Sequence, residues 1–258
     1  MSGEGASWLV LVPADDAAHA EAALAAYDRE TADAVVAGGA PPAGTPYPWM
    51  SGVTVALALL GAFGVTGPPA GSRWFERGAA IAGRIVADEP WRAVTALTLH
   101  VDAVHVLGNA VASAVLVPPL VQRLGVGVAV WLMLVAGVLG NALSAVVHAP
   151  DHVAIGASTA TFGVIGALAA IRLAPPKRDV PTRRGWVVIA ASILLLVFLG
   201  TARTADVIAH AAGLVAGLGL GFGAGFFVRR ALPATVQGAL IALTAFTVAA
   251  AWWLALRG

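Results

Sequence analysis

Residues 126–147 read VGVAVWLMLVAGVLGNALSAVV and carry no charged side chain. About 20 consecutive apolar residues suffice for a helix to cross the hydrocarbon core of a bilayer, so this stretch predicts a transmembrane helix. The 258-residue chain as a whole is also apolar: 59% of its residues are hydrophobic, 11% are charged, and its mean hydropathy is +0.85. Since an ordinary soluble domain is about one-quarter charged, this composition excludes a soluble enzyme.

Charge and cysteine content exclude further classes. The chain has no cysteine, which excludes a disulfide framework, a thiolate nucleophile and a cysteine-bound metal or iron–sulfur cluster. Its net charge is only +1, and its lysines and arginines fall in loops between apolar runs. We therefore predict no nucleic-acid partner.

Seven apolar runs approach spanning length, which predicts an all-α polytopic membrane protein. The runs are residues 49–65, 103–121, 126–147, 157–173, 186–200, 206–228 and 234–256. Residues 1–48 differ, because they hold seven acidic residues against one arginine and end in a Pro/Gly-rich linker. They are predicted to form a small acidic appendage.

The distribution of lysine and arginine predicts the orientation. Basic residues cluster at 172–184 and at 229–230, whereas the loop at 148–156 has none. The two basic loops are therefore expected in the cytoplasm together with the N-terminus, and the third loop outside. The same topology predicts residues 67–100 on the outer side of the membrane, although they hold four arginines. Their interleaved aromatic residues indicate an amphipathic, interfacial segment.

Five polar side chains stand out within the apolar runs, where such groups are costly and therefore mark a candidate functional site: His105, Asn109, Asn141, Ser158 and His210. With the predicted topology, Ser158, His210, His105 and Asn109 all lie in the outer part of the membrane. A serine becomes a nucleophile when an imidazole accepts its proton. Amide, imidazole and backbone N–H groups can stabilise the oxyanion that follows. Asn109 lies one helical turn after His105, so both face the same way.

Small residues indicate how the serine and the histidine meet. Glycines recur every four residues after His210, at 213, 217, 221 and 225. Such a face lets two membrane helices approach closely. The serine helix offers small residues for this contact at Ala160, Gly163, Gly166 and Ala167. Close pairing of the two helices would bring His210 to Ser158.

These residues resemble the rhomboid family of intramembrane serine proteases. The sequence GAS at 156–158, followed by Phe162, is similar to the family's GxS serine motif. HAAGLVAG at 210–217 is similar to its histidine helix. HVDAVHVLGN at 100–109 is similar to its second-helix motif, which contains the HxxxN pair. EPWR at 89–92 resembles the tryptophan–arginine motif of its first loop.

The resemblance implies a role for each matching residue. Ser158 would be the nucleophile and His210 the general base and acid. His105 and Asn109, with the backbone N–H of Ser158, would form the oxyanion hole. Phe162 would pack against the catalytic imidazole. The supporting residues would be Gly156, Phe162, Gly213, Gly217, Trp91 and Arg92.

The resemblance also implies the architecture and the partners. Residues 49–228 would form a six-helix core, and residues 229–258 a seventh transmembrane helix beyond it. The substrates would be transmembrane proteins in lipid, with no cofactor and no metal. The Ala- and Gly-rich composition suggests a bacterial inner membrane. The oligomeric state stays open. One departure is Thr159, where the family often has glycine, because its branched side chain could narrow the site.

Several residues also admit other interpretations. His148 and His152, four residues apart, could bind a metal, but no carboxylate-rich cluster completes such a site. Asp206 could orient His210 in a triad, although an acid in a first turn more often acts as a favourable helix-end charge. The rival functions are a non-catalytic rhomboid-like protein that binds membrane helices and, less well supported, a small transporter.

Overall fold

The computed structural model describes residues 12–37, 47–173, 206–228 and 232–257. The chain divides into two units, residues 1–41 and 42–258. In the first unit, a 3-10 turn at Ala14–Asp16 leads into helix α1, Ala17–Ala37. The predicted fifth span, 186–200, lies outside the described residues.

The second unit is almost entirely helical. Its described elements are α2 (Pro48–Thr66), α3 (Arg73–Gly78), β1 (Ala80–Ile81), α4 (Ala82–Ala87), α5 (Arg92–Thr95), a 3-10 turn (Ala96–Thr98), α6 (Ala103–Leu124), α7 (Val126–Val147), β2 (Val153–Ala154), α8 (Ser158–Leu173), α9 (Val207–Phe227) and α10 (Ala234–Arg257).

Five of these helices, α2, α6, α7, α9 and α10, are 19 to 24 residues long with a mean hydropathy of 1.7 to 2.1, and so have the length and composition of membrane spans. Helix α8 is shorter, at 16 residues, and is largely buried among the others. The predicted all-α polytopic membrane fold is confirmed.

Side-chain caps and glycines fix where the long helices begin and end. The carboxylate of Asp102 accepts a hydrogen bond from the backbone N–H of His105 at 2.8 Å, which starts α6. Asp206 does the same for Ala209 at the start of α9. Both are favourable N-cap residues. Gly125, with a φ of +85°, separates α6 from α7.

The segment between α2 and α6 is a folded scaffold and not simply an amphipathic interfacial stretch. Its strand β1 pairs with β2 in antiparallel register, Ala80 opposite Ala154. Arg92 is 1% exposed, pairs with the carboxylate of Glu89 and donates hydrogen bonds to the carbonyls of Ala79 and Glu76 at 2.9 and 3.0 Å. The guanidinium is buried because the end of α3 leaves carbonyls without helical partners.

Trp91, beside Arg92, packs against the main hydrophobic cluster of the helix bundle. The carbonyl of Ala93, in the same short helix, accepts a hydrogen bond from Asn141 of α7 at 2.9 Å. The tryptophan–arginine motif therefore joins the scaffold segment to the bundle.

Helices α8 and α9 pack with almost no space between them. A Cβ atom on Gly217 would overlap the carbonyl oxygen of Gly163, and one on Gly213 would overlap that of Thr159. The predicted small-residue contact is therefore present. Ala160 is an exception: its methyl group faces Gly137 of α7, because α8 is buried on both sides.

One side-chain amide of helix α10, the predicted seventh span, bonds to the bundle. The Gln237 side-chain oxygen accepts hydrogen bonds from the backbone N–H groups of Gly127 and Val128 at 2.7 and 3.1 Å. Its NH₂ group donates to the carbonyl of Leu124 at 2.9 Å. Gln237 thus joins the last helix to the turn between α6 and α7.

Candidate active site

Ser158 and His210 meet at the contact between α8 and α9. Ser158 is the first residue of α8, and His210 lies in the first turn of α9. The His210 Nε2 atom lies 2.8 Å from the Ser158 Oγ atom. The imidazole is 5% exposed and stacks on the ring of Phe162, with centroids 4.6 Å apart and planes 25° apart. Phe162 thereby fixes the plane in which the imidazole faces the hydroxyl.

A carboxylate partner for His210 is not found among the described residues. The buried His210 Nδ1 atom has no hydrogen-bond partner there. The Asp206 carboxylate accepts from the backbone N–H of Ala209 and lies 2.7 Å from the His152 Nε2 atom. Asp206 therefore caps the helix and bonds to His152 and not to His210.

His105 and Asn109 lie against the loop that leads into α8. A Cβ atom on Gly156 would be 2.8 Å from Cε1 and Nε2 of His105 and 3.8 Å from Nδ2 of Asn109. Gly156 has a φ of +118°, a conformation natural to glycine. The Asn109 amide also donates to the His105 carbonyl at 3.2 Å. An imidazole and an amide thus face the loop two residues before Ser158.

This arrangement suits an acyl-transfer reaction. The first turn of a helix leaves backbone N–H groups without intrahelical partners. In α8 this turn begins at Ser158, which places such donors near the hydroxyl. Together with the His105 and Asn109 side chains, they can surround an oxyanion that forms where Ser158 Oγ attacks a carbonyl carbon.

The sequence suggested that the branched side chain of Thr159 narrows the site, but this side chain lies at a helix contact. Its Cγ2 atom lies in the space left by Gly140 of α7 and Gly213 of α9, and the residue is 4% exposed. The extra bulk is accommodated at the helix contact, because both facing residues are glycines.

His100 contacts the candidate site but was not among the predicted site residues. It is fully buried, its ring lies edge-on to that of His105 with centroids 5.1 Å apart, and the backbone nitrogen of Ala157 lies 3.5 Å from its Nε2 atom. His100 therefore contacts both the His105 ring, on the proposed oxyanion side, and the loop before Ser158. The signal in the sequence was its place five residues before His105, in the same motif.

The environment of His100 predicts a pH dependence of stability. Burial, and then repulsion by His105, lower the pKa of His100 to about 4, against a smaller raising effect of the Thr98 backbone. Below its unfolded pKa near 6.5 the unfolded chain binds a proton that the folded protein excludes. Stability is thus fully present above that pH and falls towards about pH 4, by up to about 3 kcal/mol. Denaturant unfolding between about pH 7 and pH 4.5 measures this fall.

The control for this prediction is His100→Gln. The variant should be less stable at neutral pH but lose less stability on acidification than the wild type. An identical pH dependence in the two proteins would show that His100 is not the group responsible.

The comparisons with known proteins agree with this geometry. The family model described as "Rhomboid domain" matches residues 87–226, more than half of the chain. "Rhomboid-like protease 3" of Toxoplasma gondii is 32% identical over 145 residues, 55% of each chain. "RHOMBOID-like protein 7" of Arabidopsis thaliana is 32% identical over 161 residues, 60% of this chain and 49% of the relative. "Rhomboid-like protease 2" of Toxoplasma gondii is 31% identical over 159 residues, 59% and 53% of the two chains.

The matched region contains the tryptophan–arginine motif at 89–92, the HxxxN pair at 105–109, Ser158 and His210. The chain covers about half the length of these curated relatives. Since the family model covers most of the helical bundle and the whole candidate site, this multi-pass membrane protein belongs to the rhomboid family.

Proposed function

We propose that this protein is an intramembrane serine endopeptidase, which hydrolyses peptide bonds in or near the transmembrane segments of other membrane proteins. The observation that carries the proposal is the 2.8 Å separation of Ser158 Oγ and His210 Nε2 at a buried helix contact. Two relatives with "protease" in their names support it.

The reaction follows from the positions of the side chains. With its proton on Nδ1, His210 can accept the Ser158 proton at Nε2 while Oγ attacks the scissile carbonyl carbon. His105, Asn109 and the Ser158 N–H stabilise the oxyanion. The tetrahedral intermediate then collapses to an acyl-enzyme as His210 protonates the leaving amine. Water, deprotonated by His210, hydrolyses the ester and regenerates Ser158.

The proposed topology places this chemistry towards the outer face of a bacterial inner membrane, with the N-terminus in the cytoplasm. Residues 1–48 would be a cytoplasmic appendage, 49–228 the protease core and 229–258 the additional helix. This assignment rests on the basic residues at 172–184 and 229–230, by the positive-inside rule.

A substrate prediction follows from the chemistry. The carbonyls of a regular helix are hydrogen-bonded within the helix, so a transmembrane substrate must unwind locally before Ser158 can attack. Helix-destabilising residues in the outer part of a substrate span should therefore raise its cleavage rate. The measurement compares reporters with one transmembrane helix that carry either Gly or Leu in that part. Equal cleavage of both reporters would contradict the need for unwinding.

A serine-reactive fluorophosphonate tests the proposed nucleophile. The wild-type protein in lipid should form a covalent phosphonate adduct on Ser158, located by mass spectrometry. Ser158→Ala should form none, and His210→Ala should react far more slowly because Oγ keeps its proton. Ser113→Ala is the control, since Ser113 is a buried serine of α6.

Two results of this labelling would contradict the proposal. The first is an intact protein that binds transmembrane helices but never labels, which would favour the non-catalytic helix-binding protein. The second is equal labelling of the wild type and His210→Ala, which would show that His210 does not activate the serine.

Gly156→Ala tests the oxyanion side of the site. A methyl group at this φ of +118° would be strained and would press on the His105 ring. We expect cleavage of a single-span reporter to fall by about 10²-fold or more, the cost of losing an oxyanion donor. Gly108→Ala is the control, because a Cβ there meets no atom within 4 Å. Equal activity of both variants would contradict the proposed role of His105.

A further inference from the structure

A second cluster of chemically active side chains lies where three elements meet. His148 follows the last residue of α7, His152 precedes β2, and Asp206 caps the N-terminus of α9. One ligand atom from each of these partly buried residues lies within 4.8 Å of the others. In the sequence the two histidines have no carboxylate-rich cluster beside them, but the fold brings Asp206 to them.

The distances in the cluster are close to those of a coordination sphere. His152 Nε2 lies 2.7 Å from one Asp206 oxygen, and His148 Nε2 lies 3.7 Å from the other. Ligands about 2.0–2.2 Å from a tetrahedral zinc ion stand roughly 3.3 Å apart. These two separations lie on either side of this value, and the three ligand atoms all lie within 4.8 Å of one another.

Contacts behind the ligands fix two of them in place. His148 Nδ1 lies 3.0 Å from both the carbonyl and the hydroxyl oxygen of Ser144. Donation from Nδ1 to that carbonyl leaves the Nε2 lone pair directed at the cluster, as in metal-binding histidines. The backbone of His152 is held by hydrogen bonds to Ala82 and Ala149, both 3.0 Å long.

Both imidazoles of the cluster lie beside the Asp206 carboxylate. The two imidazole rings are stacked, with centroids 3.7 Å apart and planes 3° apart. A single metal ion can accept electron pairs from both nitrogens and the carboxylate together.

We propose that His148, His152 and Asp206 form a binding site for a divalent transition metal ion of the zinc class, joining the end of α7 and β2 to the first turn of the His210 helix. Two imidazoles and one carboxylate form a donor set suited to zinc, whereas magnesium prefers oxygen ligands. Three protein ligands leave a fourth position for water. His152, with 31% of its side chain exposed, lies on the open side.

Zinc binding to purified protein tests the proposal, with Ser158→Ala as the background so that proteolysis plays no part. We expect one zinc ion per chain by elemental analysis after dialysis against zinc, and a zinc-dependent rise in the melting temperature that magnesium does not cause. His152→Gln and Asp206→Asn should each weaken zinc binding by about tenfold or more. Asparagine is itself a good N-cap, so Asp206→Asn keeps the start of α9.

The control is His19→Gln, because His19 is an exposed histidine of α1 and should not contribute. Absence of bound zinc in the folded parent would overturn the proposal. So would unchanged zinc affinity in His152→Gln, which would identify the metal as adventitious. Neither result depends on whether the protein cleaves substrates, so the metal site and the proposed protease activity can fail separately.

Discussion

His210→Ala should abolish cleavage of a single-span reporter, with the rate falling by about 10⁴-fold or more, as happens when a serine protease loses its general base. The imidazole is the group positioned to accept the Ser158 proton, at 2.8 Å. Without it the hydroxyl stays protonated and is a weak nucleophile. The initial cleavage rate in liposomes is the measurement, with melting temperatures to show that the variant is folded.

Asn109→Ala provides a graded comparison for this result. Loss of one oxyanion donor costs about 10²–10³-fold in rate, so this variant should be slow but measurable. A folded His210→Ala protein that cleaves at a rate similar to Asn109→Ala would show that His210 is not the general base.

Gly217→Ala should lower both stability and activity, although the residue lies two helical turns from His210. A methyl group there would overlap the carbonyl oxygen of Gly163, so α9 must move away from α8. Overpacking of this kind costs about 1–3 kcal/mol. Because Ser158 and His210 lie on these two helices, the same movement lengthens their hydrogen bond. We expect a fall in cleavage of about 10²-fold, typical of small misplacements of reacting groups.

Gly219→Ala is the matched control, on the same helix and two residues away. A Cβ on Gly219 meets no atom within 4 Å, so its melting temperature and cleavage rate should match the wild type. Similar losses in both variants would show that the effect comes from helix composition and not from the contact between α8 and α9.

The long helices and the serine–histidine pair could be predicted from the sequence because their signals are local. A run of about 20 apolar residues predicts a span by itself. The glycines every four residues after His210 predict which face of α9 meets its partner. The helix that begins at Ser158 offered small residues and a nucleophile to place against that face.

Other features depend on contacts between segments far apart in sequence. The sequence pattern placed Arg92 in an interfacial segment. The carbonyls that accept its hydrogen bonds lie 13 and 16 residues earlier, at the end of a short helix that the pattern did not predict. Asp206 meets His152 across 54 residues. No periodicity links these positions, so neither the buried arginine nor the histidine–aspartate cluster could be predicted without the fold.

The packing of Thr159 also could not be predicted from the sequence. A branched residue next to Ser158 suggested a narrower candidate site. The structure instead provides space for it at Gly140, on a helix that ends before the serine motif begins. The effect of a residue change next to Ser158 depends on which neighbour faces the side chain, and that neighbour is set by three-dimensional packing.

Cleavage of a tagged single-span membrane protein by purified protein in liposomes tests the central claim most directly. The wild type should release a fragment whose new terminus, found by mass spectrometry, lies in or beside the transmembrane segment, and Ser158→Ala should release none under the same conditions. Release of the same fragment by Ser158→Ala would contradict the account, as would a folded wild type that binds several such reporters and cuts none.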